Sequence, residues 1–509
     1  MTDGTEEHNT RDRKPSFSLT TVPEESEINS TIGALVITTP LVEPKAAVDP
    51  TNSSQYRPRR RSSISILQTL AQSHLLSTND ARKRNFLVGS SRQLSENAMS
   101  DMSSCFPNGR SLTIMMVTWN TGEAPNLYEQ NFTPTVREEA QPKERMLSDM
   151  CDILLPTFID YVSDLIIVCT QEMSATKNRT DWEVLLQEVI GQNHVLYHSI
   201  HFGTLSLCIF LQRNLIWFCT EPEEDVIKFR AVNALRTKGS VAITFNLFGT
   251  SFMIINSHFE AGEGTEGRSS RQLNFQHTLD KLTIPHEFVE RAIVSSKSLV
   301  SLVNEETLQH SESTVSLETV RDRGIDITKA CDCILWAGDM NFRIDMSHQE
   351  VVDHCNKKNY AEILLQDEFR ILQQKTSNRH CQFKEANIDF PPTYKFDLRS
   401  FNDIYTKSRT PSYTDRILYR DKPDLQIKCT QYKSIESVKH SDHKPVVAHF
   451  RVKLKPGLHT GYPSYGKFNR EVYQRGCEQR EQHHSLGIGL EITRRRRPPI
   501  SKSSVCVLQ

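Results

Sequence analysis

Cys333-Ile334-Leu335-Trp336-Ala337-Gly338-Asp339-Met340-Asn341 is a short apolar run that stops abruptly in a tight polar turn. Five apolar residues followed by glycine read as a buried strand and the turn that ends it. Just beyond that strand stand an aspartate and an asparagine, where a layered α/β fold usually gathers its chemistry.

The same pattern repeats along the chain. Leu112 to Trp119, Leu165 to Cys169, Leu205 to Leu211, Val241 to Leu247, Phe252 to Asn256 and Pro445 to Val452 are further short β-rich runs bounded by turn residues. Glu144 to Val162 and Trp182 to Ile190 carry apolar residues at mixed three and four spacing and read as helices. Several strand pairs lie too close in sequence to be joined by helices. The expectation is therefore a mixed α/β layered fold rather than a doubly wound parallel sheet.

The 509 residues balance 61 Lys+Arg against 62 Asp+Glu, and 37% are apolar, a low share for a wholly globular chain of this size. Residues 1–110 sum to +1 and residues 456–509 to +5, leaving −7 for the middle. An acidic middle argues against a nucleic-acid binder and requires local cations or a metal if the substrate is anionic. Residues 1–108 are rich in Ser, Thr and Pro, with basic knots at Arg57 to Arg61 and Arg82 to Arg84, and read as a disordered tail. One catalytic domain is expected over 109–455, with a polar insertion near 304–324, and a basic tail over 456–509. The 12 Cys form no paired framework, and Cys331 and Cys333 read as buried structural thiols. The polar, acidic amino terminus is no signal peptide, and no run approaches the roughly eighteen apolar residues of a membrane span. These features lead us to expect an intracellular, non-spanning protein.

Polar groups follow the strand-like runs in order: Trp119-Asn120, Gln171-Glu172, Asn256-Ser257-His258, Gly338-Asp339-Met340-Asn341 and Ser441-Asp442-His443. Hydrolysis of a phosphate ester explains these residue types. Mg²⁺ takes oxygen ligands, for which Glu172 offers a carboxylate and Asn120 an amide oxygen. Asp339 beside Asn341 suits the positioning of an attacking water, and His443, its ring held by a second carboxylate, suits the phosphoryl oxygens. With no Cys-x5-Arg or serine nucleophile pattern, direct attack by water is favoured over a phospho-enzyme.

This ordered set resembles the superfamily of Mg²⁺-dependent endonucleases, sphingomyelinases and inositol-phosphate phosphatases, which implies a four-layered α/β sandwich. Thr237 to Ile243, Pro391 to Phe396, Arg409 to Leu418 and Trp336 to Ile344 narrow the resemblance to the inositol polyphosphate 5-phosphatases, over roughly residues 110–452. The resemblance implies a Mg²⁺ site at Asn120 and Glu172, a water-positioning pair at Asp339 and Asn341, and a catalytic His443 oriented by Asp415. It implies a contact from His258 to the scissile phosphate, substrate binding by Lys238, and a grip on the neighbouring 4-phosphate by Tyr394, Lys395 and Arg409. The implied activity is removal of the 5-phosphate from PtdIns(3,4,5)P3 and PtdIns(4,5)P2. The chain departs from the pattern in three places. Tyr413 stands where the family usually has Trp, Phe259-Glu260-Ala261-Gly262-Glu263-Gly264 is unusually acidic, and Asn274 replaces an expected Asp. Carboxylates in that loop repel a polyanion unless they point away.

Cys506-Val507-Leu508-Gln509 has the form of a CaaX box whose Gln favours farnesylation of Cys506, and Arg494 to Arg497 lie upstream. One lipid chain plus a basic cluster is the arrangement that holds a protein at an anionic membrane. Prenylated members of the resembled family share this ending, and Phe468-Asn469-Arg470-Glu471-Val472-Tyr473 resembles their cilium-directing motif. The expected partners are phosphoinositide lipids, the membrane surface and a prenyl-binding transport chaperone. The expected location is the cytoplasmic face of membranes, including the primary cilium with its axoneme and the Golgi. The rival readings are an endonuclease and a membrane-tethered phosphoinositide scaffold.

Overall fold

A computed structural model describes residues 111–122, 142–173, 179–229, 237–285, 326–375, 379–399, 403–455 and 462–485. The expected disordered amino-terminal tail, the polar insertion near 304–324, Arg494 to Arg497 and Cys506 lie outside these residues.

Two six-stranded sheets face each other. The first runs in the order β11 (Ile427–Ser434), β12 (Val446–Lys453), β1 (Ser111–Asn120), β2 (Leu165–Gln171), β4 (Leu205–Gln212), β3 (His194–Phe202). The second runs β5 (Glu223–Lys228), β6 (Gly239–Leu247), β7 (Thr250–His258), β8 (Cys333–Asp339), β10 (Asp415–Asp421), β9 (Lys384–Glu385). Neighbours are antiparallel except β1 with β2 and β7 with β8, so each sheet is mixed.

The strands read as apolar runs because both of their faces are buried. On β1, Leu112, Ile114 and Met116 point into the core between the sheets, while Met115, Val117 and Trp119 point outward under helices. Those helices are α1 (Pro142–Leu154) and α2 (Arg179–Ile190). On β8, Cys333, Leu335 and Ala337 face the other sheet, and Ile334 and Trp336 face α3 (Gly264–Lys281) and its neighbours. Three stacked cores thus make four layers, helix, sheet, sheet, helix, as expected. Cys331 and Cys333 are both buried. Helices α4 (His348–Asn356), α5 (Tyr360–Leu365) and α6 (Glu368–Gln374) follow β8. No helix among the described residues is long and apolar enough to cross a membrane.

The described residues continue beyond 455, the expected end of the catalytic domain. A last helix, α7 (Arg470–Ser485), packs along α2. Val472 is fully buried in the core under the first sheet, and Gly476 allows close approach to Gln187. Arg480 donates to the carbonyls of Glu188 and Val189 at 2.7 and 2.9 Å, satisfying the end of α2. The cilium-like segment forms the start of this helix. Asn469 Oδ1 caps it by accepting from the N–H of Val472 at 3.1 Å, and the Tyr473 hydroxyl donates to the Gln192 carbonyl at 3.2 Å. Helix α1 stops at Leu154, short of the expected Val162, just before Pro156.

Candidate active site

The register of the strands assembles the site. Asn120 ends β1 opposite Gln171 on β2, and Asp339 ends β8 between His258 on β7 and Asp415 on β10. With a side-chain period of two, these residues continue the rows that face the other sheet. Each apolar row between the sheets therefore turns polar at the same end. Asn256 belongs to that layer, with its Nδ2 donating to the carbonyls of Thr170 and Ser206 and its Oδ1 accepting from Gln171. Gly338 has φ +151°, and a Cβ there would sit 2.0 Å from the Ser257 carbonyl, so only glycine lets β8 lie against β7 at this point.

Asp339 is the hub. Its Oδ2 accepts from Asn120 Nδ2 at 2.9 Å and lies 3.2 Å from His258 Nε2, while its Oδ1 accepts from the N–H of Asn341 at 3.1 Å. Burial pushes its pKa up, but His258, His443 and Lys238 outweigh this and hold it well below the usual carboxylate range. Burial and then Lys238 lower the His258 pKa, against the opposing pull of Asp339 and Glu172. Lys238 Nζ touches His258 Nε2, and Glu172 Oε1 lies 3.8 Å from that nitrogen. Both Glu172 (φ 51°) and Asn341 (φ 56°) hold left-handed backbone, as do Phe248, Lys358 and Tyr465 away from this corner.

His443 stands on the segment before β12. Its Nδ1 lies 2.9 Å from Asp415 Oδ2, which also accepts from the Thr393 and Thr414 hydroxyls at 2.7 and 2.9 Å. Burial opposes protonation, yet Asp415, Asp339 and Asp442 prevail and push His443 up to about 9. Tyr394 forms bridges to both His443 and Ser412, and its ring centroid is 4.4 Å from that of His443. Lys395 bonds Asp442 at 2.5 Å, and Arg409, at the rim, bonds Glu263 at 2.5 Å.

The structure thus brings Asn120, Glu172, Lys238, His258, Asp339, Asn341, Asp415 and His443 into one buried corner, with Tyr394, Lys395 and Arg409 beside it. One carboxylate of the acidic loop is spent on Arg409. Asn274 holds the same loop by accepting from the N–H of Glu260 at 2.8 Å. Tyr413 is a core residue, its hydroxyl donating to the Phe390 carbonyl at 2.9 Å. Arg343 received no role from its sequence, yet its guanidinium donates to Asn341 Oδ1 at 2.5 Å and lies 4.9 Å from the Tyr394 ring centre. Its place two residues beyond Asn341 was the available signal.

Asp339, Asp415 and His443 each offer an atom, all within 4.8 Å of one another, but the His443 to Asp415 bond accounts for two of these. Asn120, Glu172 and Asp339 supply an amide and two carboxylates in one corner, the hard oxygen donors a small divalent cation takes, so these residues fit such an ion. His258 Nδ1 and Asp415 Oδ1 are buried there without a hydrogen bond among the described residues.

A buried cluster of this kind between two facing mixed sheets defines a class. Residues 117–449 match the profile of Endonuclease/Exonuclease/phosphatase family 2, and the chain belongs to that family. Among named relatives, the chain is 32% identical over 426 residues to a phosphatidylinositol polyphosphate 5-phosphatase type IV of Rattus norvegicus, covering 82% of this chain and 57% of that one. It is 26% identical over 354 residues to a phosphatidylinositol 3,4,5-trisphosphate 5-phosphatase 1 of Xenopus laevis, covering 67% of this chain and 30% of that one. The chain therefore spans little more than half the length of the first of these relatives. The crystal structure of the inositol polyphosphate 5-phosphatase domain of SPsynaptojanin, in complex with inositol (1,4)-bisphosphate and calcium ion, shares the fold with a TM-score of 0.50 at 21% identity. It covers 78% of this chain and 98% of that one.

Proposed function

We propose that the chain is a phosphoinositide 5-phosphatase, releasing the 5-phosphate of PtdIns(3,4,5)P3 and PtdIns(4,5)P2 by Mg²⁺-assisted attack of water. The observation that carries this reading is Tyr394. Its ring packs on His443 at 4.4 Å and its chain continues into Lys395, so a grip for a second phosphate adjoins the hydrolytic cluster. The names of the relatives support the same activity.

Asn120, Glu172 and Asp339 would hold Mg²⁺, which when bound would neutralise charge on the phosphate oxygens. Ionised Asp339, fixed through Oδ1 by the N–H of Asn341, positions the attacking water. Asp415 engages Nδ1 of His443, leaving the other nitrogen of a protonated ring for a phosphoryl oxygen. The water gives up a proton to the Asp339 and His443 pair as its oxygen bonds to phosphorus and the ester bond breaks, and the same pair returns a proton to the departing inositol oxygen, so an inositol hydroxyl and phosphate leave with no net change in protons. Lys395 and Arg409 exchange Asp442 and Glu263 for the 4-phosphate, where fixed charge and several donors suit a phosphate. Phosphate release from lipids of defined phosphorylation tests the reading, and release of 3- or 4-phosphate instead would overturn it.

A farnesyl tether on Cys506 with Arg494 to Arg497, delivery by a prenyl-binding chaperone, and residence at the cilium and Golgi belong to the same proposal. Fractionation of Cys506→Ser tests the tether. The variant is expected in the soluble fraction, and unchanged membrane association would remove the tether from the proposal.

A further inference from the structure

Arg343 carries a charge that the described residues do not neutralise. Its backbone is held by Glu368, whose Oε2 accepts from the Arg343 N–H at 3.2 Å and whose N–H donates to the Arg343 carbonyl at 2.9 Å. Its guanidinium makes one hydrogen bond, from Nη2 to Asn341 Oδ1 at 2.5 Å, and Nε is buried with no partner among the described residues. The carboxylates at hand are engaged elsewhere. Glu368 pairs with Arg271 at 2.7 Å, and Asp345, two residues on, pairs with Arg268 at 3.2 Å. A half-buried guanidinium with unused donors and no counter-charge is costly unless an anion meets it.

Its position says which anion. On one side stands Asn341, whose N–H holds Asp339 Oδ1 at 3.1 Å. On the other stands Tyr394, its ring centre 4.9 Å from the guanidinium carbon, 5.4 Å from Lys395 Nζ and 4.4 Å from the His443 ring centre. Arg343 therefore lies at the seam between the residues assigned to the scissile phosphate and those assigned to its neighbour. Two phosphates on adjacent carbons of an inositol ring present their oxygens side by side, and a planar fork of several N–H donors can meet both, where an ammonium acts as a single point charge. We propose that Arg343 is a further substrate-binding residue that contacts the 4- and 5-phosphates together and so reads the vicinal pair. The proposal rests on the phosphoinositide reading above. Lys395 and Arg409 must each release a carboxylate to take a phosphate, whereas Arg343 gives up no ion pair.

The test compares the full chain with its Arg343→Met and Arg343→Lys variants, with Mg²⁺, on dioctanoyl PtdIns(4,5)P2 and on dioctanoyl PtdIns(3,5)P2, which keeps the 5-phosphate but lacks its 4-phosphate neighbour. With about tenfold for each charge-assisted contact, Arg343→Met is expected to lower kcat/KM about a hundredfold on the vicinal lipid and about tenfold on the other. Arg343→Lys, which keeps the charge without the fork and also serves should the Met variant fail to fold, is expected to lose about tenfold on the vicinal lipid and to stay within about twofold on the other. Equal losses on the two lipids, as a role through Asn341 alone would give, a loss of Arg343→Met confined to one lipid, or no loss, would overturn the proposal. If wild type releases 5-phosphate from neither lipid, the functional reading fails, and calorimetry of metal-free protein with inorganic pyrophosphate, two linked phosphates, decides the inference separately. Binding weakened about tenfold in Arg343→Lys then supports a site for paired phosphates, and equal binding overturns it.

Discussion

Asp339 on β8 stands directly opposite Asp415 on β10 in antiparallel register, and His443 reaches in from the other sheet to bond one of them, Asp415, at 2.9 Å. Two carboxylates are thereby given different partners. Asp339 faces Asn120 and His258, and Asp415 faces His443 and two threonine hydroxyls.

Asp415→Asn keeps the shape and removes the charge that holds the His443 proton. Turnover is expected to fall about a hundredfold or more, as when a histidine loses the carboxylate that orients it. The His443 ring, followed by NMR, should titrate below its wild-type value. Full activity with an unmoved ring titration would contradict the assigned role.

His443 also links stability to pH. Its folded pKa, about 9, exceeds the ordinary 6.5 because Asp415, Asp339 and Asp442 outweigh the opposing effect of burial. The folded chain therefore favours the protonated ring. That contribution is complete below about pH 6.5 and is lost as the pH rises through about 9. In metal-free protein, the Tm advantage of wild type over His443→Gln should shrink across this window, whereas a constant difference would contradict the link.

Arg409→Ala and Lys395→Ala are expected to raise KM for lipids bearing a 4-phosphate by about tenfold each, the loss of one charge-assisted contact. Fold stability should change little for Arg409, which is half exposed. The effect should vanish on substrates lacking a 4-phosphate, and an equal effect on both substrate types would remove these residues from the grip.

Deleting residues 462–509 should destabilise the catalytic fold by several kcal/mol, because it uncovers α2 and leaves its carbonyl end without Arg480. Denaturant unfolding should show the loss even when activity survives. An unchanged midpoint would mean that α7 is dispensable to the fold.

The central strands were legible because both of their faces are buried, so runs such as Cys333 to Ala337 are continuously apolar. The edges were not. β5 (Glu223–Lys228) and β11 (Ile427–Ser434) have half-exposed, charged faces, and His194–Phe202 of β3 interleaves histidines with its apolar residues. α7 has a polar sequence and packs through Val472, a glycine and an arginine, a surface that carries little apolar period. Asn120, Glu172, His258, Asp339 and Asn341 could be read as a set because they lie at or just past the ends of strands, but the pairing of Arg409 with Glu263 and the reach of Arg343 depend on loops brought together from distant parts of the chain.

The central claim, hydrolysis of the 5-phosphate by the Asp339 and His443 cluster, is tested most directly by following phosphate release from PtdIns(4,5)P2 with purified wild type, Asp339→Asn and His443→Ala, each with Mg²⁺ and with chelator. Wild type with Mg²⁺ is expected to yield PtdIns(4)P, with chelator and either substitution lowering the rate by about a hundredfold or more. Undiminished release by either variant, or DNA cleavage in place of lipid turnover, would contradict the account.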